Sequence, residues 1–594
     1  MFSKFKETRG SQLIIRSLLV VLGLFVVAKV MFIGFSADEE YQLILTYRLA
    51  KGDLLFREVW DTLQTSAFYG QFFMWIYLKV MHTTTGCLLF LRLCGVITQG
   101  FVSLFLFFTL KRHLKFSSAL FLSAAFFCTY TKLVAMPEFS NMQTWSLVIM
   151  LCAIWRAKDA FESEKKKNGY LYLSAAAFFF CVAVLSAACV VLIPPIFILL
   201  FRLQEKGGLK RNLLFWGICL FCGTAYFLTL LAINGWDVLL FGINGVLAGD
   251  DTHLGGVLLN GNQKWADYLQ DAGMILAYMF VTLLIAMFAS IIVFLITKRR
   301  NDIWMLVWIV EAYAVTLYNW FVKKIGYEGL KLYIPVLSII GIYVFFKYFR
   351  SAKEGSTERS SMLPAFYGIV IGIGVFANVL LISNVGVTWN ITFLNTSAFW
   401  GMVILVSYLE KIDIPVKYCL TLGLFYLMMV AGTGFTLNAG PVGSTIFDVV
   451  RDGRPMLEGP TTGAVTSRSV AYVYDVNFRL FRDLVKENSN VLIVTNFFHN
   501  QSLTPIYMLN DVNISHYTVN STPTYSDKLY EYWEKYPERM PDCIIINGDS
   551  CPPDDYLWAL DLISKYDEMV EVTMYTVRYF VKPEYVKEEY RLPR

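Results

Sequence analysis

The stretch that fixes the architecture of this chain reads Phe35-Ser36-Ala37-Asp38-Glu39-Glu40-Tyr41. It directly follows an apolar run at residues 18–33, in which Lys29 is the only charge. Three consecutive carboxylates, here called the acidic block, therefore lie where a membrane helix meets water. Carboxylates in a span are costly and mark function when they line a polar interior. At the mouth of a span they can stay ionised beside a partly dry cleft. The alternative is a solvated block that caps an exposed loop.

The composition is that of a polytopic membrane protein. The 594 residues are 56% hydrophobic and 16% charged, against about 25% charged in soluble domains. The mean hydropathy is +0.52, and such values place the chain in the lipid bilayer. The net charge of +5 is small, and basic residues form short clusters instead of one patch, so we expect no nucleic-acid partner.

About thirteen apolar runs are long enough to cross a hydrocarbon core of about 30 Å. They cover residues 18–33, 86–110, 117–134, 142–155, 170–186, 188–203, 212–233, 271–297, 302–322, 329–347, 362–382, 391–409 and 416–433. Basic clusters follow every second run, as the positive-inside rule requires. The pattern predicts a multi-pass plasma-membrane protein whose N-terminus is cytoplasmic and whose C-terminus is extracytoplasmic. The first run exceeds the about 7–15 residues of a signal-peptide core, so we expect an uncleaved anchor.

The polarity of the chain predicts two domains. Residues 1–435 form a transmembrane domain with outer loops at 36–85 and 234–270, and residues 436–594 form an extracytoplasmic α/β domain. Within the second, short apolar stretches alternate with helical patterns, which is typical of an α/β fold. The expected strands are 491–495, 514–519, 543–547 and one or two within 571–581, and the expected helices are 501–509, 525–535 and 556–565.

Several short motifs occur in a characteristic order. They are Asp38-Glu39 after the first span, the loop Gly52-Asp53-Leu54-Leu55-Phe56-Arg57-Glu58-Val59-Trp60-Asp61, Leu91-Arg92-Leu93 early in the second span, and Tyr333-Ile334-Pro335 opening a late span. With these motifs and its overall architecture, the chain resembles the GT-C superfamily of glycosyltransferases that use polyprenyl-phosphate sugars. Within it, the bacterial relatives of protein O-mannosyltransferases and aminoarabinose transferases are the most similar. At residues 62–67 the chain departs from the His/Pro-rich segment of many relatives, which leaves the positioning role of that segment open.

The resemblance implies an inverting glycosyltransferase. It would move a sugar from a polyprenyl-phosphate donor to a cell-envelope glycan, lipid or protein acceptor on the outer face of the membrane. The leaving group is an acidic phosphate, so the reaction needs a base for the acceptor hydroxyl and positive charge at the phosphate. No cofactor is required.

Acidic site residues follow from the resemblance. It places the catalytic base at Asp38, and Glu39 would orient the acceptor or the base, whereas Glu40 is expected to be solvated. Glu138, at an outer turn between spans, and Asp61 are further acidic candidates. The alternative for Glu138 is an ordinary turn carboxylate.

Cationic candidates for the donor phosphate lie on the same side. Arg92 is the first choice, because a guanidinium without a partner inside a span is costly. The alternative for Arg92 is a salt bridge to Asp61 or Glu58 that fastens the outer loop. Arg57 and Lys331 are further candidates, with snorkelling or lipid-headgroup binding as their alternative roles.

Other chemistry receives less support from the sequence. Asp250-Asp251-Thr252-His253 could hold a divalent metal, but a solvated Gly-rich loop is the expected structure, and we predict no metal site. Cys543 and Cys551 could pair in an oxidising compartment. A transporter or flippase, or a polymerase of lipid-linked saccharides, is the alternative function. Transport is disfavoured because the acidic residues lie at the outer surface and no repeated halves are visible.

Overall fold

The computed structural model of the chain describes residues 9–35, 37–60, 64–187, 189–202, 208–248, 261–298, 302–323, 329–349, 357–382, 386–412, 415–437, 446–487, 489–494, 508, 526–548, 551, 553–574 and 576–590. Several predictions fall outside this part of the chain. They concern Asp61, the 250–253 segment, the strand at 514–519, the helix at 501–509 apart from Met508, and the side chain of Asp38.

The N-terminal three quarters of the described chain are helical, because only internally hydrogen-bonded backbone is compatible with lipid. The helices are α1 (Arg9–Phe32), α2 (Ala37–Lys51), α3 (Gln64–Met81), α4 (Cys87–Leu110), α5 (Phe116–Phe127), α6 (Phe139–Glu162), α7 (Lys166–Ser186), α8 (Ile193–Arg202), α9 (Gly208–Asn234), α10 (Trp236–Ala248), α11 (Gly261–Thr297), α12 (Ile303–Leu317), α13 (Tyr333–Val344), α14 (Thr357–Ile382), α15 (Val387–Asn390), α16 (Asn395–Lys411) and α17 (Pro415–Phe435).

Seven helices of the described ranges are long and apolar enough to cross a membrane. They are Cys87–Leu110, Lys166–Ser186, Gly208–Asn234, Lys264–Thr297, Ile303–Val322, Ser361–Leu381 and Val387–Lys411. Shorter apolar helices accompany them, among them Ser17–Phe32 and Phe116–Phe127. The helices α9 and α11 expose large apolar side chains such as Leu220 and Ile296, which suits contact with lipid. The chain is therefore a helical membrane protein, while the count of thirteen spans and the orientation of the termini stay predictions.

The C-terminal region, residues 446–590, contains helices and two small sheets. Its helices are α18 (Ile446–Asp452), α19 (Arg468–Leu484), α20 (Ser526–Lys535) and α21 (Pro553–Ser564), and its strands are β1 (Gly453–Pro455), β2 (Val465–Ser467), β3 (Val491–Val494), β4 (Cys543–Asn547), β5 (Val570–Met574) and β6 (Val577–Val581). The larger sheet has the order β3-β4-β6-β5. The strands β3 and β4 are parallel, and the other two pairs are antiparallel.

These elements confirm an α/β fold in the C-terminal region. Strands β3 and β4 match the predicted stretches at 491–495 and 543–547, because their consecutive apolar residues are covered on both faces. The sequence analysis did not predict β1, β2 or α19. Cys543 and Cys551 are both free thiols, so they form no disulfide in this structure.

The C-terminal region packs against the outer loop 36–85. Val465 bridges to Ile33 in a parallel β-bridge, and the Tyr532 hydroxyl donates to the carbonyl oxygen of Glu58 at 3.1 Å. The ring of Trp60 contacts Phe241 of α10 with a centroid distance of 5.1 Å. These contacts bring the first predicted outer loop together with α10 and the C-terminal region, while the location of all three on the outer face stays a prediction.

Candidate active site at the start of helix α2

The Glu39 carboxylate and the Arg92 guanidinium form a buried, bidentate ion pair. Arg92 Nε and Nη2 donate to the two carboxylate oxygens of Glu39, each at 2.6 Å. The Arg92 and Glu39 side chains are only 1% and 0% exposed. Such a pair is strong and fixes the relative orientation of its partners. It connects the first turn of α2 to α4.

The partner of Arg92 differs from both residues that the sequence offered. We expected Asp61 or Glu58, but Asp61 lies outside the described part and Glu58 contacts Arg57 at 3.0 Å. The physical reason is the approach of the α2 start to α4, which brings Glu39 within reach although 53 positions separate the two residues. Arg92 thus forms an ion pair, as the alternative predicted, but its partner is Glu39.

Arg92 also holds the link between α1 and α2. Its Nη1 donates to the carbonyl oxygen of Met31 at 2.9 Å, and its Nη2 donates to that of Gly34 at 2.6 Å. Gly34 has a φ of 85°, a left-handed conformation that glycine adopts without steric cost. Arg92 therefore positions α2 in this structure. These bonds engage four of its five N–H groups, which leaves one, on Nη1, for the predicted contact with a donor phosphate.

The acidic block lies in the first turn of α2, where the helix dipole favours negative charge. Glu39 and Glu40 are buried, with exposed fractions of 0% and 1%. The expectation that Glu40 is solvated is wrong, because α2 begins at Ala37 and turns this residue into the protein. The backbone of Asp38 belongs to the same helical turn, and its predicted role as base stays a prediction.

Two buried lysines lie in this part of the molecule. Lys29 lies close to the ion pair, and Lys132 lies in the loop of residues 128–138, here called the rim loop. Lys29 is 2% exposed, its Nζ lies 3.4 Å from the carbonyl oxygen of Leu133, and it interacts electrostatically with Arg92 and Glu39. Lys132 is also buried, and its Nζ lies 3.9 Å from the ring centroid of Phe139. A buried lysine beside a carboxylate, as Lys29 is beside Glu39, is typical of functional sites in spans.

The rim loop is pressed against α4. A Cβ atom at Gly95 would overlap the carbonyl oxygen of Ala135, so only glycine permits this approach. Gln99 of α4 donates to the carbonyl oxygens of Phe126 and Thr129 at 2.6 and 3.0 Å. These contacts place the loop, and with it Lys132, beside the same helix that carries Arg92.

Glu138 ends the rim loop as the N-cap of α6. Its carboxylate accepts from the backbone N–H groups of Ser140 and Asn141 at 2.9 and 2.8 Å, and from the Ser140 hydroxyl. Glu138 is fully buried. Capping of this kind satisfies the free N–H groups of a helix start. The observed contacts thus agree with the turn-carboxylate alternative, and a role toward the acceptor stays a prediction.

The remaining predicted cations are Arg57 and Lys331. Arg57 is 47% exposed on the outer loop, where it pairs with Glu58. Lys331 is buried just before α13. Two residues further on, Tyr333 of the Tyr-Ile-Pro motif lines a cleft.

This cleft is narrow and lies between the rim loop and the helices α5, α6, α13, α16 and α17. Its polar lining residues are Thr129, Thr131, Thr144, Tyr333, Asn395 and Thr396, and the others are apolar. The hydroxyls of Thr131 and Thr144 are hydrogen-bonded at 3.1 Å. Apolar pockets with a few convergent polar groups are typical ligand sites.

The structure also shows what the sequence analysis missed. Lys29 and Lys132 were not among the candidates, although Lys29 is the only charge in the first apolar run. A lone cation in a span is a usable signal for function. Within the described ranges, no group of three or more His, Cys, Asp or Glu side chains is arranged for a metal.

Comparison with known proteins gives only structural similarity. No family model matches the sequence, and neither does a curated protein. The chain is similar to a crystal structure of the Archaeoglobus fulgidus oligosaccharyltransferase with zinc and sulfate, with 10% identity, a TM-score of 0.44, and coverage of 89% of this chain and 68% of that chain. It is also similar to ArnT from Cupriavidus metallidurans in the apo state, with 13% identity, a TM-score of 0.41, and coverage of 96% and 97%.

A structure of the same ArnT bound to undecaprenyl phosphate gives 13% identity, a TM-score of 0.40, and coverage of 96% and 98%. At such identities we transfer no functional residue from these structures, and the site is argued from its own geometry.

Proposed function

We propose that this chain is an integral-membrane glycosyltransferase that moves a sugar from a polyprenyl-phosphate donor to a cell-envelope acceptor on the outer face. Residues 1–435 would be the catalytic domain, and residues 436–594 an extracytoplasmic α/β domain. The observation that carries the proposal is the burial of Glu39 beside Arg92 and Lys29, directly after the first apolar helix. Carboxylates and cations held together at a dry rim suit the displacement of a lipid phosphate.

The proposed reaction needs one base and one cationic group. The acceptor oxygen attacks the anomeric carbon while the bond between that carbon and the phosphate oxygen breaks. The acceptor proton passes to Asp38, and the phosphate leaves with the electron pair. Attack opposite the leaving group inverts the anomeric centre.

The ion pair gives Glu39 a supporting role in this scheme. Because both of its oxygens accept from Arg92, Glu39 fixes the helical turn whose backbone includes Asp38. A catalytic group held in position contributes more to rate than a mobile one. Positive charge for the phosphate would come from Lys331, one of the predicted cations, and from Lys132 of the rim loop, both of which are buried.

A transfer assay tests the function and the base together. Purified protein in nanodiscs is given radiolabelled polyprenyl-phosphate sugars, and lipid-linked, free and transferred sugar are separated. Asp38→Asn should reduce turnover by about 10²–10⁴-fold, the range expected for loss of a general base. The matched control is Asp561→Asn, which changes an exposed carboxylate on α21 and should keep wild-type turnover.

Two results would contradict parts of the proposal. Equal turnover of wild type and Asp38→Asn removes Asp38 as the base. If no donor is turned over but labelled sugar lipid crosses the bilayer of reconstituted vesicles, the chain is a transporter, the alternative that the sequence left open.

A further inference from the structure

The C-terminal region touches both ends of α2, the helix that carries the acidic block. At the N-terminal end, the backbone N–H of Gly34 donates to the carbonyl oxygen of Val465 in β2 at 2.8 Å. The carbonyl oxygen of the same glycine accepts from Arg92, which in turn binds Glu39. A short chain of contacts therefore runs from the C-terminal region to the acidic block.

At the C-terminal end of α2, Asp53 bridges two arginines. Arg48, in the last turn of α2, donates through Nε to Asp53 Oδ2 at 2.7 Å, and Arg539 of the C-terminal region binds Asp53 Oδ1 at 3.1 Å. The carbonyl oxygen of Glu58 accepts from Arg48 Nη2 and from the Tyr532 hydroxyl, both at 3.1 Å.

These side chains are shielded from water. Arg48 is 3%, Asp53 12% and Arg539 15% exposed. Ion pairs at this depth are screened less by salt than pairs in open solvent. A carboxylate shared by two guanidinium groups also fixes the distance between the elements that carry them.

We propose that the C-terminal region is a clamp that sets the position of α2, and that Arg539 and Asp53 are positioning residues for the reaction at the acidic block. The inference rests on the proposed function. The helix has 15 residues and is about 22 Å long, so it transmits a displacement from one end to the other as a rigid rod. The C-terminal region would thus act on the reaction without touching the reacting atoms.

Hydrogen exchange measured by mass spectrometry tests the clamp independently of activity. The full-length protein in detergent is compared with Arg539→Gln, with the charge-conserving Arg539→Lys, and with Arg578→Gln. The last variant breaks a pair with Glu571 on the far strands of the sheet and serves as the matched control. We expect exchange of peptides covering residues 37–51 to rise about tenfold or more in Arg539→Gln, as for a loss of about 1.4 kcal/mol of local stability, and to stay unchanged in the control.

Steady-state transfer kinetics supply the second readout. Arg539→Gln should lower kcat by about 10- to 100-fold, since a misplacement of about 1 Å costs up to about 10²-fold. KM for the donor should stay within about twofold, and Arg539→Lys should restore most of kcat. The double variant with Asp53→Asn should be no slower than the slower single variant, because both changes remove the same link.

The outcomes separate the two proposals. Unchanged exchange in residues 37–51 of Arg539→Gln, or equal effects of the Arg539 and Arg578 changes, overturns the clamp. A specific rise in exchange in a protein that transfers no sugar supports the clamp and removes the proposed function.

Discussion

The buried pair of Glu39 and Arg92 makes a quantitative prediction about stability. Glu39→Leu leaves the Arg92 guanidinium buried without its carboxylate, and breaking a buried pair on one side costs about 3–5 kcal/mol. Arg92→Met also removes the bonds to the carbonyl oxygens of Met31 and Gly34. At about 1 kcal/mol for each hydrogen bond, that variant should lose about 5–7 kcal/mol.

The double variant Glu39→Leu/Arg92→Met should lose far less stability than the sum of the two single losses. It removes the pair as a whole, and the interactions of the two side chains with Lys29 have opposite signs, so the main loss is that of the two carbonyl contacts, about 2 kcal/mol in total. The coupling energy between the two positions is then several kcal/mol, where about 1.4 kcal/mol changes the unfolding equilibrium tenfold. Unfolding in mixed micelles with increasing SDS, followed by far-UV circular dichroism, measures all four corners of the cycle.

An exposed pair provides the control for this cycle. Asp561 and Lys565 lie 3.0 Å apart with exposed fractions of 64% and 53%, and removing either should change stability by at most about 1 kcal/mol. Additive losses in the Glu39 and Arg92 cycle, or a Glu39→Leu variant as stable as wild type, would refute the claim that this pair fixes the start of α2.

Two further changes test other parts of the structure. Gly95→Ala should destabilise the protein by about 1–3 kcal/mol or more, because the new methyl group overlaps the Ala135 carbonyl and overpacking has this cost. Gly100→Ala on the same helix, whose nearest neighbour would be Phe127 at 3.8 Å, should be tolerated, and thermal melting in detergent compares the two. In the C-terminal region, burial raises the pKa of Asp555 to about 6. The Asp555 carboxyl should therefore contribute stability that is fully present below about pH 4 and is lost as the pH rises through 6. Asp555→Asn should abolish this loss and gain up to about 3 kcal/mol at pH 7.5, measured from melting curves between pH 4 and 7.5. If the stability of Asp555→Asn depends on pH as that of wild type does, this prediction is wrong. The control is Asp567→Asn, which changes an exposed carboxylate.

The sequence alone determined the environment and the local elements of this protein. Apolar runs of about 20 residues can satisfy their backbone in lipid only as helices, which is why the spans at 86–110 and 170–186 coincide with α4 and α7. The short apolar stretch at 543–547 likewise became the central strand β4. Both results follow from local patterns of apolar residues, although the pairing partners of β4 lie far away in the chain.

The tertiary structure decided how the candidate site is assembled. No local pattern shows that Arg92 faces Glu39, that Glu40 is buried, or that Arg539 reaches Asp53 across 486 positions. Those contacts depend on the rotation of each helix about its axis and on the docking of the C-terminal region, which the packing of the whole chain sets. Periodicity reports which face of a helix is apolar, but it carries no information about which residue that face will meet.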